Sequence, residues 1–359
     1  MAKDFSVPGI GDGSRLARWI SDGGSVPNGG DLAGIELIAG GRSNLTYRLD
    51  FGPSARLVLR RPPLGHVLPT AHDMAREYRV LTALHGTAIP VPAPVAFCPD
   101  PEVIGAPFYL MEYVDGLVLR TSEDGEQVNE DQARQLSERL AAMLAAIHAV
   151  DTRAVGLADF GRPEGYLARQ LARWQRQWEL SATRQMPGYD RLVERLTAGL
   201  PESGDAALVH GDFRLDNMLV VLGERPDIAA VVDWEMSTLG DPLADLGLTL
   251  MYWADSADEN WRTIGVGAAV TSRPGFFSRA QLAARYAELT GRDVSGIGYY
   301  MAFGCFKLAV VLEGIHARYL QRKTVGEGFE REGQVVPLLI GRAHQMLDSD
   351  PLAGPSAAG

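Results

Sequence analysis

The sequence predicts an α+β fold with two lobes: a small antiparallel-sheet lobe with one helix, followed by a larger, mainly helical lobe. In the N-terminal third, short segments of alternating apolar and polar residues are joined by turns that contain glycine or proline. Most of the remaining chain has apolar residues at helical spacing. Two short apolar segments in that part, Leu208-Val209 and Ile228 to Val232, run into polar loops, so acidic side chains are expected at strand ends.

Composition limits the classes of protein that fit. A chain of 359 residues has room for one large two-lobed domain or two ordinary ones. With 22% charged and 46% hydrophobic residues it has the balance of a soluble globular protein, and its net charge of −11 argues against nucleic acid as the main partner. Cys98 and Cys305 form no C-x-x-C pair, so neither a disulfide framework nor a zinc site is expected, and a cytoplasmic location fits.

The start of the chain and its most apolar segment indicate neither secretion nor a membrane. Met1 to Ser14 contains no apolar core, so a signal peptide is not predicted. Tyr299 to Leu312 is too short to span a bilayer and carries Lys307. We predict an N-terminal extension over residues 1–30, a first lobe over 31–115, a helical lobe over 116–349 and a frayed tail over 350–359.

The first lobe begins with three predicted strands. Ile35 to Ala39 and Leu45 to Leu49 flank the sequence Gly40-Gly41-Arg42-Ser43-Asn44, and Arg56 to Arg60 forms the third strand. A glycine-containing turn between antiparallel strands lets backbone N–H groups approach phosphate oxygens closely. Any tight hairpin uses glycine, so this turn gains meaning only from its order relative to the later motifs.

A helix and a further strand complete the first lobe. Ala71 to Leu84 has the apolar spacing of a helix, and Phe108 to Met111 is predicted as a buried strand. That strand leads into a turn that contains Gly116, which suits a hinge between lobes. The hinge backbone would meet the edge of a base through the Glu112 carbonyl and the Val114 amide.

The second lobe is predicted from helical periodicity. Asn129 to Val150 forms a long amphipathic helix, with His148 as a packing or capping residue near its end. Tyr166 to Leu180 places its tryptophans at helical spacing, which indicates core packing first and the lining of a substrate pocket as the alternative. Asp241-Pro242 begins another helix, with Asp as the N-cap and Pro in the first turn.

The most informative motif is H-G-D-x-x-x-x-N, formed by His210 to Asn217, with Asp233 after the next strands. In phosphoryl transfer, a carboxylate accepts the proton of the attacking hydroxyl, and an amide and a second carboxylate hold magnesium. Asp212, Asn217 and Asp233 supply these groups. A lone H-G-D can also be an ordinary turn whose side chains bond local backbone. The combined pattern favours a kinase.

The third strand offers a second point of comparison with kinases. Val58 and Arg60 share a face because side chains alternate along a strand. Protein kinases use that face to pack a small residue on adenine and to send a lysine to the phosphates, paired with a helix glutamate that Glu77 would match. Arginine keeps the charge but is not equivalent to lysine. The alternatives are a surface Arg60 and an exposed Glu77 paired along its own helix.

These motifs, in this order, resemble the aminoglycoside phosphotransferase and choline kinase superfamily over roughly residues 30 to 345. Four segments resemble a subgroup that includes the kinase-like domain joined to acyl-CoA dehydrogenases. They are Leu59 to Pro63, Arg76 to Tyr78, Val103 to Tyr109 and Gly240 to Pro242. The departure is Arg60, where most relatives carry lysine.

The resemblance implies a two-lobed protein-kinase-like fold, Mg²⁺ with ATP as cosubstrate, and phosphorylation of a small-molecule hydroxyl. It implies that Asp212 is the catalytic base and that Asn217 and Asp233 bind Mg²⁺. His210 and Asp245 are expected to support the catalytic loop, with Asp245 bracing it from behind. The residues expected around ATP are Ser43, Asn44, Val58, Arg60, Glu77, Glu112 and Val114.

The acceptor is predicted from charge. No activation segment ending in A-P-E separates Asp233 from Asp245, so a protein acceptor is not expected. Aminoglycosides are polycations that carboxylates would match, whereas the late helical region carries Lys307, Arg318, Arg322 and Lys323. An anionic or acyl-type acceptor is therefore favoured, and the subgroup points to a hydroxyacyl-CoA or hydroxy acid. The candidates for its pocket are Trp174, Trp178, Lys307 and Arg318.

Two alternatives stay open. If the cations are solvated helix faces, an aminoglycoside, choline-like or sugar-like acceptor also fits. A nucleotide-binding pseudokinase that acts as a partner module is the alternative of another class, although the intact Asp212, Asn217 and Asp233 argue against it. An acyl-CoA dehydrogenase is a candidate pathway partner, and the sequence leaves the oligomeric state open.

Overall fold

The structure is a computed structural model that describes residues 7–11, 13–23, 30–38, 44–52, 55–64, 73–202, 204–255, 269–322, 329–349 and 351–352. The chain forms two compact units, Met1–Gly116 with Ala229–Glu235, and Leu117–Ile228 with Met236–Gly359. An antiparallel sheet dominates the first unit and helices dominate the second, which confirms the predicted α+β class. Ser43 and Lys323 lie outside the described residues, so their predicted roles stay predictions.

The first unit contains a five-stranded antiparallel sheet in the order β1-β2-β3-β5-β4. Its strands are β1 (Gly34–Leu37), β2 (Leu45–Phe51), β3 (Ala55–Arg61), β4 (Pro94–Cys98) and β5 (Phe108–Glu112). In the central register, Leu59 of β3 lies between Tyr47 of β2 and Leu110 of β5. These three side chains are buried on one face of the sheet, whereas Val58 and Arg60 face the other.

A helix that the sequence analysis did not predict completes the apolar face. α1 (Gly13–Asp22) buries Leu16 and Ile20 in the same core as β2, β3 and β5. The two residues are four apart and therefore lie on one side of a helix. The predicted N-terminal extension thus includes a helix of the first unit's core. Its short length hid the periodicity, because ten residues give fewer than three turns.

α2 (Met74–Leu84) packs beside β4 and β5. Asp73 caps its N-terminus by accepting a hydrogen bond from the Arg76 amide at 3.1 Å. Tyr78 stacks on Phe97 of β4 with ring centroids 5.8 Å apart. These contacts fix the rotation of α2 about its axis and direct Glu77 into the interior.

The second unit is built around one apolar helix. The α-helices in the described part of this unit are α3 (Glu130–His148), α4 (Tyr166–Ser181), α5 (Tyr189–Ala198), α6 (Pro242–Tyr252), α7 (Arg279–Thr290), α8 (Ile297–Leu320) and α9 (Glu332–Asp348). α8 packs against α4, α6 and α9. Among the described residues, α8 alone has the length and apolar composition that crossing a membrane would need, and 72% of its most apolar window is buried inside the protein. That burial is typical of a core helix.

Local sequence accounts for where the predicted helices begin. Asn129 and Gln132 form a reciprocal capping box at the start of α3. Asp241 caps α6 by accepting a hydrogen bond from the Leu243 amide at 2.9 Å, and Pro242 occupies the first turn. These observations confirm both predicted starts.

Two short ladders present the predicted catalytic loops. β6 (Ala207–Val209) pairs antiparallel with β9 (Thr238–Gly240), and β7 (Met218–Val221) pairs with β8 (Asp227–Val231). The chain passes from the second unit to the first within β8. His210 to Asn217 follows β6, and Asp233 follows β8, so both acidic loops begin at strand ends as predicted.

Candidate active site

The catalytic loop of the second unit is fixed by its backbone. Gly211 has a φ of +83°, and a Cβ added there would lie 2.5 Å from the Met236 carbonyl oxygen, so only glycine fits. The amides of His210 and Gly211 donate to the two oxygens of Asp245 in α6, at 2.5 and 2.7 Å. The structure therefore places Asp245 behind the loop as its brace.

Asp245 is the centre of a buried hydrogen-bond network. His148 Nε2 lies 3.4 Å from Asp245 Oδ2, and His148 Nδ1 lies 2.7 Å from the Tyr286 hydroxyl. Burial alone raises the pKa of the Asp245 carboxyl, but the hydrogen bond and charge of His148 and the Gly211 amide outweigh it and hold that pKa below its usual range. The histidine expected to pack or cap is thus a hydrogen-bonding support for the catalytic loop.

One turn further along α6, Thr249 Oγ1 donates to the Phe213 carbonyl at 2.8 Å. Residues 245 and 249 lie on the same side of the helix because they are four apart. α6 therefore holds the loop at two points, one on each side of Asp212.

Asp212 and Asn217 meet within this loop. Asn217 Nδ2 donates to the Asp212 carbonyl at 2.8 Å and to Asp212 Oδ2 at 3.0 Å. Arg214 Nε donates to the same Oδ2 at 3.3 Å. In the described part of the chain no donor reaches Asp212 Oδ1, and the Asp212 side chain is 25% exposed. Oδ1 is therefore the oxygen positioned to accept a proton.

Asp233 in the first unit adopts an unusual backbone conformation. Its φ is 68°, in the left-handed region that Asp tolerates better than most residues, at a cost of about 1–3 kcal/mol. Trp234 Nε1 donates to the Val231 carbonyl at 3.0 Å and holds the turn that follows β8. Arg60 Nη2 donates to Asp233 Oδ1 at 2.5 Å. Strain of this kind collects at functional sites.

Arg60 and Glu77 form the predicted ion pair, with 3.2 Å between Arg60 Nε and Glu77 Oε2. Their side chains are only 9% and 1% exposed, so the alternatives of a surface arginine and an exposed glutamate are wrong. The two atoms are close but not aligned for a hydrogen bond. Burial raises the pKa of Glu77, and the charges of Asp233 and Glu235 raise it further, against the lowering effect of Arg60.

Two further contacts in the first unit concern residues that the sequence analysis placed near ATP. Asn44 is buried, and its Nδ2 donates to Glu235 Oε2 at 2.8 Å. Glu235 was missed as a site residue, and its only signal was its place two residues after Asp233. The exposed Glu112 side chain accepts a hydrogen bond from the Ala93 amide at 3.4 Å. Val58 is buried in β3, and the backbone roles of Glu112 and Val114 stay predictions.

The oxygen donors fit magnesium better than a metal with a dedicated protein cage. No group of three or more His, Cys, Asp or Glu side chains suited to a metal occurs in the described part of the chain. Magnesium instead binds one or two protein oxygens together with water and phosphate oxygens. The Asn217 amide nitrogen is engaged by Asp212, which leaves its carbonyl oxygen as a ligand, and Asp233 offers a carboxylate.

The acceptor candidates divide into two sets. Lys307 Nζ donates to the Gly211 carbonyl at 2.7 Å and lies 5.7 Å from the centre of the Trp174 ring. The guanidinium of Arg173 lies 5.4 Å from the centre of the same ring. Lys307 thus joins the Trp174 ring to the His210–Asn217 loop. Trp178 instead stacks on Tyr189 with centroids 4.2 Å apart, as a core residue. Arg318 is exposed and lies eleven residues beyond Lys307, or about 16 Å along α8, so the structure does not bring it to this cluster.

Comparisons with known proteins show the family of this chain. Residues 34–282 match the sequence model of the family described as "Phosphotransferase enzyme family". The chain belongs to this phosphotransferase family. A Ralstonia eutropha protein assigned as an aminoglycoside phosphotransferase has a crystal structure that matches with a TM-score of 0.77 and 31% identity, over 94% of this chain and 98% of that one. The resemblance inferred from the motifs is confirmed.

One relative of this chain is a much longer protein. Acyl-CoA dehydrogenase family member 10 of Mus musculus is 35% identical over 298 residues, which are 82% of this chain but 27% of that protein. The chain thus spans about a quarter of the length of this curated relative. A thermostable mutant of aminoglycoside phosphotransferase APH(4)-Ia, solved with AMP-PNP and hygromycin B, matches with a TM-score of 0.60 over 94% of this chain and 99% of that one. At 16% identity this match shows the shared fold alone.

Proposed function

We propose that the protein transfers the γ-phosphoryl group of ATP, with Mg²⁺, to a hydroxyl of a small anionic or acyl-type molecule, a hydroxy acid or hydroxyacyl-CoA. The observation that carries this proposal is the hydrogen bonding of the Asp212 carboxylate. One of its carboxylate oxygens is held by Asn217 and Arg214, and the other is turned away from these donors. Membership of the phosphotransferase family supports the reaction class.

In the proposed reaction, the acceptor oxygen forms a bond to the γ-phosphorus of ATP as the bond from that phosphorus to the bridging oxygen breaks. ADP leaves with the electron pair of the broken bond. Asp212 Oδ1 takes the proton of the acceptor hydroxyl and later releases it to water. Asn217 and Asp233 would hold Mg²⁺, which neutralises charge on the phosphates when bound.

Arg60 supplies the positive charge for the nucleotide in this proposal. Burial opposes its charged form, but Glu77 and Asp233 raise the pKa of the guanidinium well above its usual value, so Arg60 remains a cation. A guanidinium donates several hydrogen bonds in one plane, which suits phosphate oxygens.

The charge beside the catalytic loop supports the acceptor class. Lys307 and Arg173 place two cations on the ring of Trp174, next to the Gly211 carbonyl. Such a cluster repels a polycation and attracts a carboxylate or phosphate attached to an apolar chain. The mouse acyl-CoA dehydrogenase family member adds support, because a phosphotransferase domain joined to an acyl-CoA dehydrogenase would share acyl-CoA compounds with it. A separate acyl-CoA dehydrogenase is the pathway partner that we propose for this chain, in the cytoplasm.

The experiment is a panel of acceptors assayed with ATP and Mg²⁺ by ADP release, with the product identified by phosphorus NMR. Hydroxy acids, their CoA esters and aminoglycosides form the panel, and Asp212→Asn is the inactive control. We expect a phosphate ester of a hydroxy acid or its CoA ester. Lys307→Gln should raise KM for such an acceptor more than KM for ATP. Phosphorylation of aminoglycosides alone would overturn the acceptor class. Thermal stabilisation by ATP without turnover would overturn the reaction and indicate a nucleotide-binding pseudokinase.

A further inference from the structure

Arg214 connects the catalytic carboxylate to a second acid in the same loop. Its Nε donates to Asp212 Oδ2 at 3.3 Å, and its Nη1 lies 3.2 Å from Asp216 Oδ2. The guanidinium carbon lies 4.8 Å from the centre of the Tyr252 ring, at the end of α6. Tyr252 therefore covers one face of the guanidinium, and two carboxylates occupy its edge.

Asp216 is held in this position at a cost in stability. Its side chain is only 9% exposed, and its Oδ1 is buried without a hydrogen bond. Arg120 Nε is 3.7 Å from Asp216 Oδ2, a distance that gives charge attraction without a hydrogen bond. A feature that weakens the fold beside a catalytic loop indicates a functional reason for it.

The two oxygens of Asp212 are chemically equivalent, so only its neighbours decide which one faces the acceptor. Asn217 holds Oδ2 through a neutral amide whose other end is the proposed metal ligand. Arg214 adds a charge-assisted bond to the same oxygen and screens Asp212 from the negative charge of Asp216. Contact with the Tyr252 ring leaves the guanidinium free to rotate about the axis to that ring, whereas the ion pair of Nη1 with Asp216 restricts this rotation.

We propose that Arg214 is a positioning residue that turns Asp212 Oδ1 toward the acceptor hydroxyl, with Asp216 as the counter-charge that orients Arg214. This inference rests on the proposed phosphotransferase function. Among the described residues, Asp216 Oδ1 accepts no hydrogen bond, and Asp216 Oδ2 lies next to the guanidinium groups of Arg214 and Arg120. The pair therefore acts through Asp212 and not through the stability of the loop.

The test compares four variants by kcat, by KM for each substrate and by the midpoint of thermal unfolding. Arg214→Met should lower kcat about 10- to 100-fold, which is the effect of losing one charge-assisted hydrogen bond, and leave KM for ATP within about twofold. Arg214→Lys should recover part of the lost kcat, because it restores the charge without the fork. Asp216→Asn should lower kcat without lowering the unfolding midpoint, since it removes a buried charge.

Arg120→Ala is the matched control. Within the described residues Arg120 approaches Asp216 and makes no ion pair or hydrogen bond with Asp212, and its side chain is about half exposed. Its kcat should stay within about twofold of the wild type, as for most surface substitutions. Wild-type kcat in Arg214→Met, or a fall in the unfolding midpoint of Asp216→Asn, would overturn the proposal.

Crystal structures of the wild type and Arg214→Met separate this inference from the proposed function. We expect Asp212 to rotate in the variant, so that Oδ2 leaves the position that it shares with Asn217 Nδ2. An unchanged Asp212 would overturn the positioning role whatever the activity. A wild type that phosphorylates no acceptor would overturn the proposed function, while a rotated Asp212 would still support the role of Arg214.

Discussion

Arg60 donates to Asp233 Oδ1 at 2.5 Å while its Nε lies 3.2 Å from Glu77 Oε2. One guanidinium thus serves two carboxylates, one in the segment after β8 and one in α2. A lysine has a single ammonium group at the end of its chain, whereas the fork of arginine separates its donors in space. The arginine in this position is therefore matched to two acids, and it is close to the residue expected to bind metal.

This relationship predicts how Arg60 contributes to nucleotide binding. Arg60→Ala should weaken the binding of ATP about 10- to 100-fold, which is the effect of losing a charge-assisted hydrogen bond, and should weaken the binding of adenosine much less. Arg60→Lys should keep much of the activity because the charge remains. Calorimetric titration of each variant with ATP and with adenosine measures the difference.

Arg61 provides the matched control for Arg60. Its Nη1 donates to the backbone carbonyls of Gly9 and Ile104, and to the latter at 2.9 Å. Arg61→Ala should therefore lower thermal stability without changing the ratio of ATP to adenosine affinity. Equal losses for ATP and adenosine in Arg60→Ala would mean that Arg60 supports the fold and does not contact phosphates.

Asp233 is predicted to make nucleotide binding depend on magnesium. Asp233→Ala should abolish that dependence because it removes a charged oxygen ligand. Alanine also tolerates the φ of 68° poorly, so Asp233→Asn is the sharper variant, since asparagine accepts this conformation. The difference between ATP affinity with Mg²⁺ and with a chelator should then be large in the wild type, much smaller in Asp233→Asn, which keeps an oxygen without the charge, and absent in Asp233→Ala. An unchanged magnesium dependence in Asp233→Asn would remove Asp233 from the metal site.

Asp212 is predicted to act in turnover alone. Asp212→Asn should lower kcat by about 10²–10⁴, the usual contribution of a positioned general base, while ATP affinity and the unfolding midpoint stay near their wild-type values. The same substitution at the exposed Asp205 controls for the loss of one negative charge. A variant with wild-type rates would show that another group accepts the proton.

Local sequence patterns predict much of the fold. Alternating apolar and polar residues predict β2 and β3, helical spacing of apolar residues predicts α3 and α4, and Asp241-Pro242 predicts the start of α6. The catalytic loop was also predictable, because glycine, the acid and the amide stand within eight residues of one another. The sequence also predicts that Asp245 supports this loop, and the two amides that donate to its carboxylate agree with that prediction.

The parts that the sequence did not predict depend on partners far away in the chain. Asn44 is 191 residues from Glu235, and His148 is 138 residues from Tyr286. A hydrogen bond between two polar side chains leaves no periodic signal in either segment, so neither pair could be found before the fold was known. The residues predicted to bind the acceptor could not be separated from sequence either. Lys307 contacts the Gly211 carbonyl, whereas Arg318 on the same helix does not.

The last prediction concerns the pH dependence of stability through Asp245. The pKa of this carboxyl is lower in the folded protein than its ordinary value of 3.8. A carboxyl whose pKa is lower in the folded state than in the unfolded state stabilises the fold at pH values above its unfolded-state pKa. This stabilisation is lost as the pH falls through the folded-state pKa. Asp245→Asn should therefore be less stable than the wild type by about 1–3 kcal/mol at neutral pH, because the charged acceptor of two buried amides is lost.

The difference in unfolding free energy between the wild type and Asp245→Asn, called here the stability gap, has a predicted pH profile. It should be constant from about pH 7 to about pH 5 and should narrow only below about pH 4, as the wild-type carboxyl becomes protonated. Urea unfolding of both proteins across this range gives the gap directly. Tyr286→Phe is the matched control, because it removes the hydroxyl that contacts His148 Nδ1 and leaves the Asp245 carboxyl intact. Protonation of Asp245 should therefore not narrow the difference in unfolding free energy between Tyr286→Phe and the wild type below about pH 4. A gap for Asp245→Asn that already closes between about pH 7 and about pH 5 would show that another group, and not the Asp245 carboxyl, sets the pH dependence.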